Sequence, residues 1–222
     1  MGERRTPPAG ESDGDTEARI LAAARRVFVR RGTSGARMHE IAAEAGVNQA
    51  LLHYYFRSKD RLADAVFREV AGRVIPQVAG LFASGISLDR KVERFVHLYI
   101  DSVREHPYIP AYIISELHQH PERIATMAAA VGAIRPGVDN GPIARPILVK
   151  LGRQLSALER KGLIRRTTPS QFLVNVFALA IFPFLARPVL GMVMGFDTAD
   201  FDSFLDERRA ALPAFIMNAL RP

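Results

Sequence analysis

Residues 36–67 read ARMHEIAAEAGVNQALLHYYFRSKDRLADAVF, and their spacing decides the fold. Ile41, Ala42 and Ala45 fall at the three- and four-residue intervals that share one helix face, which predicts a helix from about Met38 to Ala45. Gly46 permits the left-handed turn that ends it. Asn48, a good N-cap residue, then opens a short helix through Gln49, Leu52 and Tyr55. Val47 and Leu52 can pack back beneath the preceding helix. Two short helices joined in this way form a helix-turn-helix, although ordinary helical hairpins produce the same spacing.

Outward from this stretch the helical period persists almost everywhere, and no alternation of apolar and polar residues lasts long enough for a sheet. The expected fold class is all-α. Upstream, a helix opens at Asp15 or Thr16, carries Ile20, Leu21, Ala24, Val27 and Phe28 on one face, and stops at Gly32. Downstream, Ser58 caps a helix that passes Val70 and is bent or ended near Pro76. A further helix is expected from Leu88 to about Glu105, with short ones from Pro107 and Pro121. Residues 132–142 read as a loop. Two longer helices follow, at about 143–160 and 169–186, and a last one runs from Thr198 toward Leu220 with a possible break at Pro213.

Composition bounds what such a chain does. It has 222 residues, 48% of them hydrophobic and 24% charged, with no cysteine and no tryptophan. That is enough for a real core. Lacking cysteine, it has no disulfide framework, thiolate zinc site, iron–sulfur cluster or cysteine nucleophile. The start, MGERRTPPAGESDGDTE, is charged and turn-rich, unlike a signal peptide or membrane anchor, and reads as a disordered tail. A cytoplasmic protein is expected. The net charge of +7 is unevenly placed: residues 16–61 carry nine basic and four acidic side chains, whereas the much longer remainder from 62 to 222 carries only +4. A basic face on a small module suits a polyanion, nucleic acid before anionic membrane, or simply keeps the protein in solution.

The second helix of a helix-turn-helix enters the major groove, where only an exposed face with short or polar side chains approaches base edges. Gln49, Ala50, His53 and Tyr54 fit that description. Taken together, the pair Ile41-Ala42, the run Ala45-Gly46-Val47, Leu52, Tyr54, Phe56, and Ser58-Lys59 followed by Leu62 resemble the DNA-binding domain of the TetR/AcrR family of transcriptional regulators. The resemblance covers residues 16 to about 67. It implies a three-helix DNA-binding domain over residues 15–60, behind a tail at 1–14, and a ligand-binding and dimerisation domain over 61–222.

The resemblance further implies that Gln49 and Ala50 face bases, that His53, Tyr54 and Tyr55 grip phosphates and sugar edges, and that Lys59 clamps a phosphate. A lysine at a helix N-terminus suits a phosphate rather than base reading, and glutamine can pair bidentately with adenine. For Tyr54, packing between helices is an equally open reading. His39 and Asn48 complete the expected DNA-facing set. This chain departs from the family where Arg37 replaces the usual Thr or Ser cap, since arginine has no acceptor, and Arg37 can substitute charge at a phosphate. Leu51 stands where Thr is common and can meet a thymine methyl; His53 stands where Tyr is common. These departures bear on which operator is read.

One reading head covers few base pairs, so a homodimer on a palindromic operator is expected, its heads one or more DNA turns apart (~34 Å each). The helices at 143–160 and 169–186 offer the dimer surface. The second, QFLVNVFALAIFPFLA, falls short of the roughly 20 apolar residues of a membrane span. A cavity for a small apolar or aromatic effector is expected from Phe95, Tyr99, Tyr112 and Phe182, with Tyr108, Phe172, Phe177 and Phe184 nearby in sequence, and with Glu116 and Asn175 as its polar contacts. Each of these rings equally suits a packed core. By resemblance, effector binding spreads the heads and releases the operator, as in a repressor. No cofactor is expected.

Two rivals remain at this stage. His97, Asp101, His106, Glu116, His118 and His120 allow a metal-dependent helical enzyme or sensor, since His97 and Asp101 lie four apart on one helix. Against this, His118 and His120 point apart, and no nucleophile elbow, phosphate loop, dinucleotide fingerprint or HExxH pattern occurs. The other rival is an architectural DNA-binding protein with no small-molecule response.

Overall fold

A computed structural model describes residues 13–107, 109–123 and 145–222. Among them are ten helices and no strand: α1 (Asp13–Gly35), α2 (Met38–Ala45), α3 (Gln49–Phe56), α4 (Lys59–Ala83), α5 (Leu88–Glu105), α6 (Ile109–Gln119), α7 (Arg145–Arg160), α8 (Pro169–Leu185), α9 (Arg187–Met194) and α10 (Thr198–Asn218). α1 opens at Asp13, two residues before the expected Asp15 or Thr16, so residues 13 and 14 of the expected tail are helical; the rest of that tail, Tyr108, the 132–142 loop and most of the helix expected from Pro121 lie outside the described residues. The chain divides into two compact units, parting between Glu69 and Val70.

The N-terminal unit is built by its stop and start signals. Gly32, at φ 69° and ψ 162°, breaks the helical path of α1, which resumes for one turn to Gly35. Gly46 is left-handed at φ 66°; its N–H reaches the Ala43 carbonyl at 3.1 Å, and the Val47 N–H reaches Ala42 at 3.0 Å. This paired closure satisfies carbonyls that the end of α2 would otherwise orphan. Asn48 Oδ1 accepts from the Leu51 N–H at 2.7 Å and starts α3. Ser58 Oγ accepts from the Arg61 N–H at 3.2 Å and starts α4. The core is apolar and continuous: Ile20, Ala24, Val27 and Phe28 of α1, Ile41 and Ala42 of α2, and Leu52 and Phe56 of α3 are all buried. The first turns of α4 bury Leu62, Ala63, Val66 and Phe67 as well. Their burial explains why the unit ends at Glu69 rather than near residue 60 as expected from sequence. Each fully buried side chain of this size contributes about 1.5–3 kcal/mol by leaving water.

The C-terminal unit centres on α5, whose Leu88, Val92, Phe95, Val96, Tyr99, Ile100 and Val103 are buried at helical spacing. It packs on α10, where Arg209 forks onto Asp101 at 3.0 and 3.1 Å and Arg104 meets Asp206 at 2.6 Å. Pro76 does not end α4. The helix runs on to Ala83, where its last carbonyls have cationic partners: Lys91 Nζ donates to the Phe82 oxygen at 3.0 Å and Lys150 Nζ to the Ala83 oxygen at 2.9 Å. Positive charge at this end also complements the helix dipole. Lys91 is buried, and desolvation, reinforced by Lys150, lowers its pKa from the usual lysine value. Pro213 likewise sits inside an unbroken α10, and α9 is a helix that the sequence reading did not foresee.

Candidate nucleic-acid interface and effector cavity

The turn at Gly46 and the Asn48 cap present α3 with one face in the core and the other outward. Leu52 and Phe56 point in; Gln49, Ala50 and His53 are exposed, and Tyr54 is 71% exposed. The exposed Tyr54 is not packed between the helices of this unit. The ring meets Tyr55 edge-on, 5.4 Å between centroids. His53 Nδ1 lies 3.3 Å from the Arg57 carbonyl oxygen, to which it donates in the tautomer protonated there. Leu51 is half-buried.

Several expected DNA-facing side chains also have structural work. Asn48 uses its carbonyl oxygen as the α3 cap, which leaves its amide N–H groups as donors. The Tyr55 hydroxyl donates to the Asp13 carboxylate, and that hydrogen bond raises the Tyr55 pKa. Lys59 Nζ donates to the carbonyl oxygens of Ser34 and Ala36, at 3.1 and 3.3 Å. Arg37 and His39 are exposed at the start of α2. As its chemistry requires, the Arg37 side chain makes no cap bond; instead Glu40, three residues on, accepts from the Arg37 backbone N–H at 3.3 Å.

Four of the nine basic side chains of residues 16–61 are internally paired. Arg26 and Arg30 both bind Glu44, at 2.7 and 2.8 Å, Arg31 binds Glu40 at 2.7 Å, and Arg25 lies 3.6 Å from Glu69. These pairs fasten α1 to its neighbours. Composition alone has no signal for this pairing, because the partners are up to 44 residues apart in sequence.

The C-terminal unit holds a cavity of about 460 Å³ among α4, α5, α6, α7 and α8. Of the residues assigned to a ligand cavity from sequence, Phe95 and Tyr99 are on its wall, together with Phe82, Ser102, Ile113 and Phe177 among others. The remaining four expected contacts are not on its wall. Phe182 is 60% exposed and Asn175 is exposed, because residues seven apart on α8 share its outward face. Tyr112 is buried outside the lining. Glu116, 1% exposed, is neutralised by a buried ion pair with Arg123. Sequence reasoning missed the aliphatic walls, Ile75, Val78, Ile113 and Ile181 among them, since nothing distinguishes a cavity isoleucine from a core one.

The histidine-rich stretch does not assemble. Asp101 is engaged by Arg209, Glu116 by Arg123, and His120 by Glu122 at 3.1 Å. Among the described residues no group of three or more candidate ligands is placed to hold a metal ion.

The sequence profile described as bacterial regulatory proteins, tetR family, matches residues 20–66. The repressor SCO4008 of Streptomyces coelicolor is 30% identical over 140 residues, 60% of this chain and 69% of that protein. The chain belongs to the tetR family. A second relative, the HTH-type transcriptional repressor NicS of Pseudomonas putida, is 28% identical over 64% of this chain and 70% of its own length. The fold matches HlyIIR, a hemolysin II transcriptional regulator, with a TM-score of 0.61 at 21% identity, covering 95% of this chain and 99% of that one. It also matches FadR of Bacillus subtilis, solved with stearoyl-CoA, with a TM-score of 0.58 at 14% identity over 92% and 99% of the two chains. Membership makes this tetR-family chain a DNA-binding transcriptional regulator and not an enzyme.

Proposed function

We propose that the protein is a cytoplasmic repressor that binds palindromic operator DNA as a homodimer and is released by an apolar effector. The cavity carries this reading. A largely apolar, half-open cleft of about 460 Å³ walled by α4 to α8 has the size and lining of a small-molecule site, which supports this reading. It favours an effector-responsive regulator over an architectural DNA-binding protein. A related fold that accommodates stearoyl-CoA supports the same direction.

On the operator, Gln49 and Ala50 read bases, Leu51 meets a thymine methyl, and Arg37, His39, Asn48, His53, Tyr54, Tyr55 and Lys59 hold phosphates and sugars. The outward face of α8, with Val174, Phe182 and Leu185, forms the dimer surface together with Val149 of α7. The dimer surface continues onto α9 through the exposed apolar side chains of Val189, Val193 and Met192, the last 82% exposed. Among the described residues no single helix is long and apolar enough to cross a membrane. Effector binding releases DNA only if the ligand prefers the released conformation.

The test is light scattering of the purified protein, expected to give twice the 24.5 kDa chain mass, followed by fluorescence anisotropy of a labelled operator with and without apolar compounds. A monomeric mass at DNA-binding concentrations contradicts the dimer. Anisotropy indifferent to every compound that binds the protein contradicts release.

A further inference from the structure

On the outward face of α8, Gln171, Asn175, Ala178, Phe182 and Leu185 are all exposed and lie four, three, four and three residues apart. Leu173, Val176, Ala180 and Phe184 are buried on the inner face. Alternating steps of three and four are the spacing at which one helix offers a straight seam to another. No residue from Pro169 to Leu185 is charged. In a two-fold pair each side chain near the axis meets its own copy, so a charged seam repels itself and an uncharged one does not. Asn175 is the polar residue inside this seam, since Gln171 stands in the first turn of α8. Its amide holds both donors and an acceptor, so two copies facing one another satisfy each other, which two carboxylates or two ammonium groups do not.

We propose that Asn175 selects the pairing partner: its amide hydrogen-bonds the partner's Asn175 across the two-fold axis and holds the two α8 helices in a single register. The proposal rests on the dimer reading above and narrows it to one contact. An apolar stripe alone tolerates sliding by a turn and pairing with other apolar helices. A buried amide does not, because a misaligned or foreign helix that offers hydrocarbon there strands its donors and acceptor away from water. Relative to an all-apolar seam the affinity falls, and pairing becomes restricted to a second copy of this chain in one alignment.

The test uses the full-length chain, which has no cysteine of its own. Under mild oxidation Asn175→Cys is expected to run on a non-reducing gel at twice the 24.5 kDa chain mass. A disulfide forms only where the Cα atoms come within about 7 Å, so the band reports the contact directly. Ala18→Cys, exposed on α1, is the collision control and is expected to remain a single chain. Sedimentation then reads the partner choice. Asn175→Asp and Asn175→Lys are each expected to raise the dimer dissociation constant at least about tenfold, and an equal mixture of the two to return it to within about threefold of the parent. Rescue on mixing also shows that both variants are folded. Dimers of the unaltered protein whose Asn175→Cys form fails to cross-link, or cross-links no faster than Ala18→Cys, overturn the Asn175 contact and leave the dimer standing. So do charged variants that dimerise as tightly as the parent, and so does a mixture no tighter than its components. Sedimentation as a single chain at every concentration refutes the dimer reading, and the Asn175 contact falls with it.

Discussion

The ammonium of Lys59, the first residue of α4, donates to the carbonyl oxygen of Ser34 at 3.1 Å and so ties the start of α4 to the end of α1. Together with the bond to Ala36, it uses two of the three lysine donors; in the proposed function the third, beside the positive end of a helix, takes a phosphate. Lys59→Ala is therefore expected to weaken binding to every DNA sequence alike and lower the slope of log K against log salt by about one unit. It should also cost about 1 kcal/mol of stability through the lost carbonyl bonds. Anisotropy titrations across salt concentrations check the slope, and an unchanged slope reduces Lys59 to a structural tie.

Gln49 is exposed in the first turn of α3, with no helix of its own unit covering it. Gln49→Ala is expected to change preference among operator variants, by about 1–3 kcal/mol at the base pair it reads, with the salt slope preserved. Competition binding against single-substituted operators measures this. A uniform loss across all sites would move Gln49 from base reading to backbone contact.

Hydrogen bonds from Arg30 and Arg26 hold the Glu44 carboxyl below its usual 4.5. A depressed native pKa means that the stabilisation is complete above the unfolded value and disappears as pH falls through the native one. Thermal melts between about pH 6 and pH 3 should thus lose stability in the acid range, and Glu44→Gln should flatten that limb while matching the parent's pH dependence above it. An acid limb identical in both proteins would show that this α1 to α2 pairing has no thermodynamic weight.

Glu116 and Arg123 form a buried pair. Glu116→Gln removes the carboxylate that faces the buried Arg123 guanidinium and is expected to cost about 3 kcal/mol, read as a lower urea midpoint. Replacing both together, as Glu116→Leu with Arg123→Met, should recover most of that loss, because two apolar side chains remove the charge and its need for a partner. A double variant no more stable than the single one contradicts this reading.

The boundaries of α2, α3 and α5 were legible because their signals are local: Gly46 closes one helix, Asn48 opens the next, and α5 repeats its apolar residues at helical spacing. Long-range chemistry was not legible. Pro76 predicts a bend or an end, yet the carbonyls beyond it find Lys91 and Lys150, partners no local window contains. On α8, apolar at nearly every position, periodicity gives no inner and outer face, so Phe182 and Asn175 were assigned to a cavity from which they point away, while Phe177 lines it. Glu116 was read as a ligand contact because its partner, Arg123, sits seven residues on, past the end of α6. The eight residues of α9 include no fully buried side chain, with Leu190 packed partly against the core.

The central claim, that paired copies of this chain read a symmetric operator through α3, is tested most directly by selecting bound duplexes from a random-sequence pool with the purified full-length protein. The account predicts enrichment of inverted repeats whose half-site centres are about one or more helical turns apart, with enrichment lost at high salt and redirected to different half-sites by Gln49→Ala. Selected sequences without two-fold symmetry, or a pool that Gln49→Ala leaves unchanged, would contradict it.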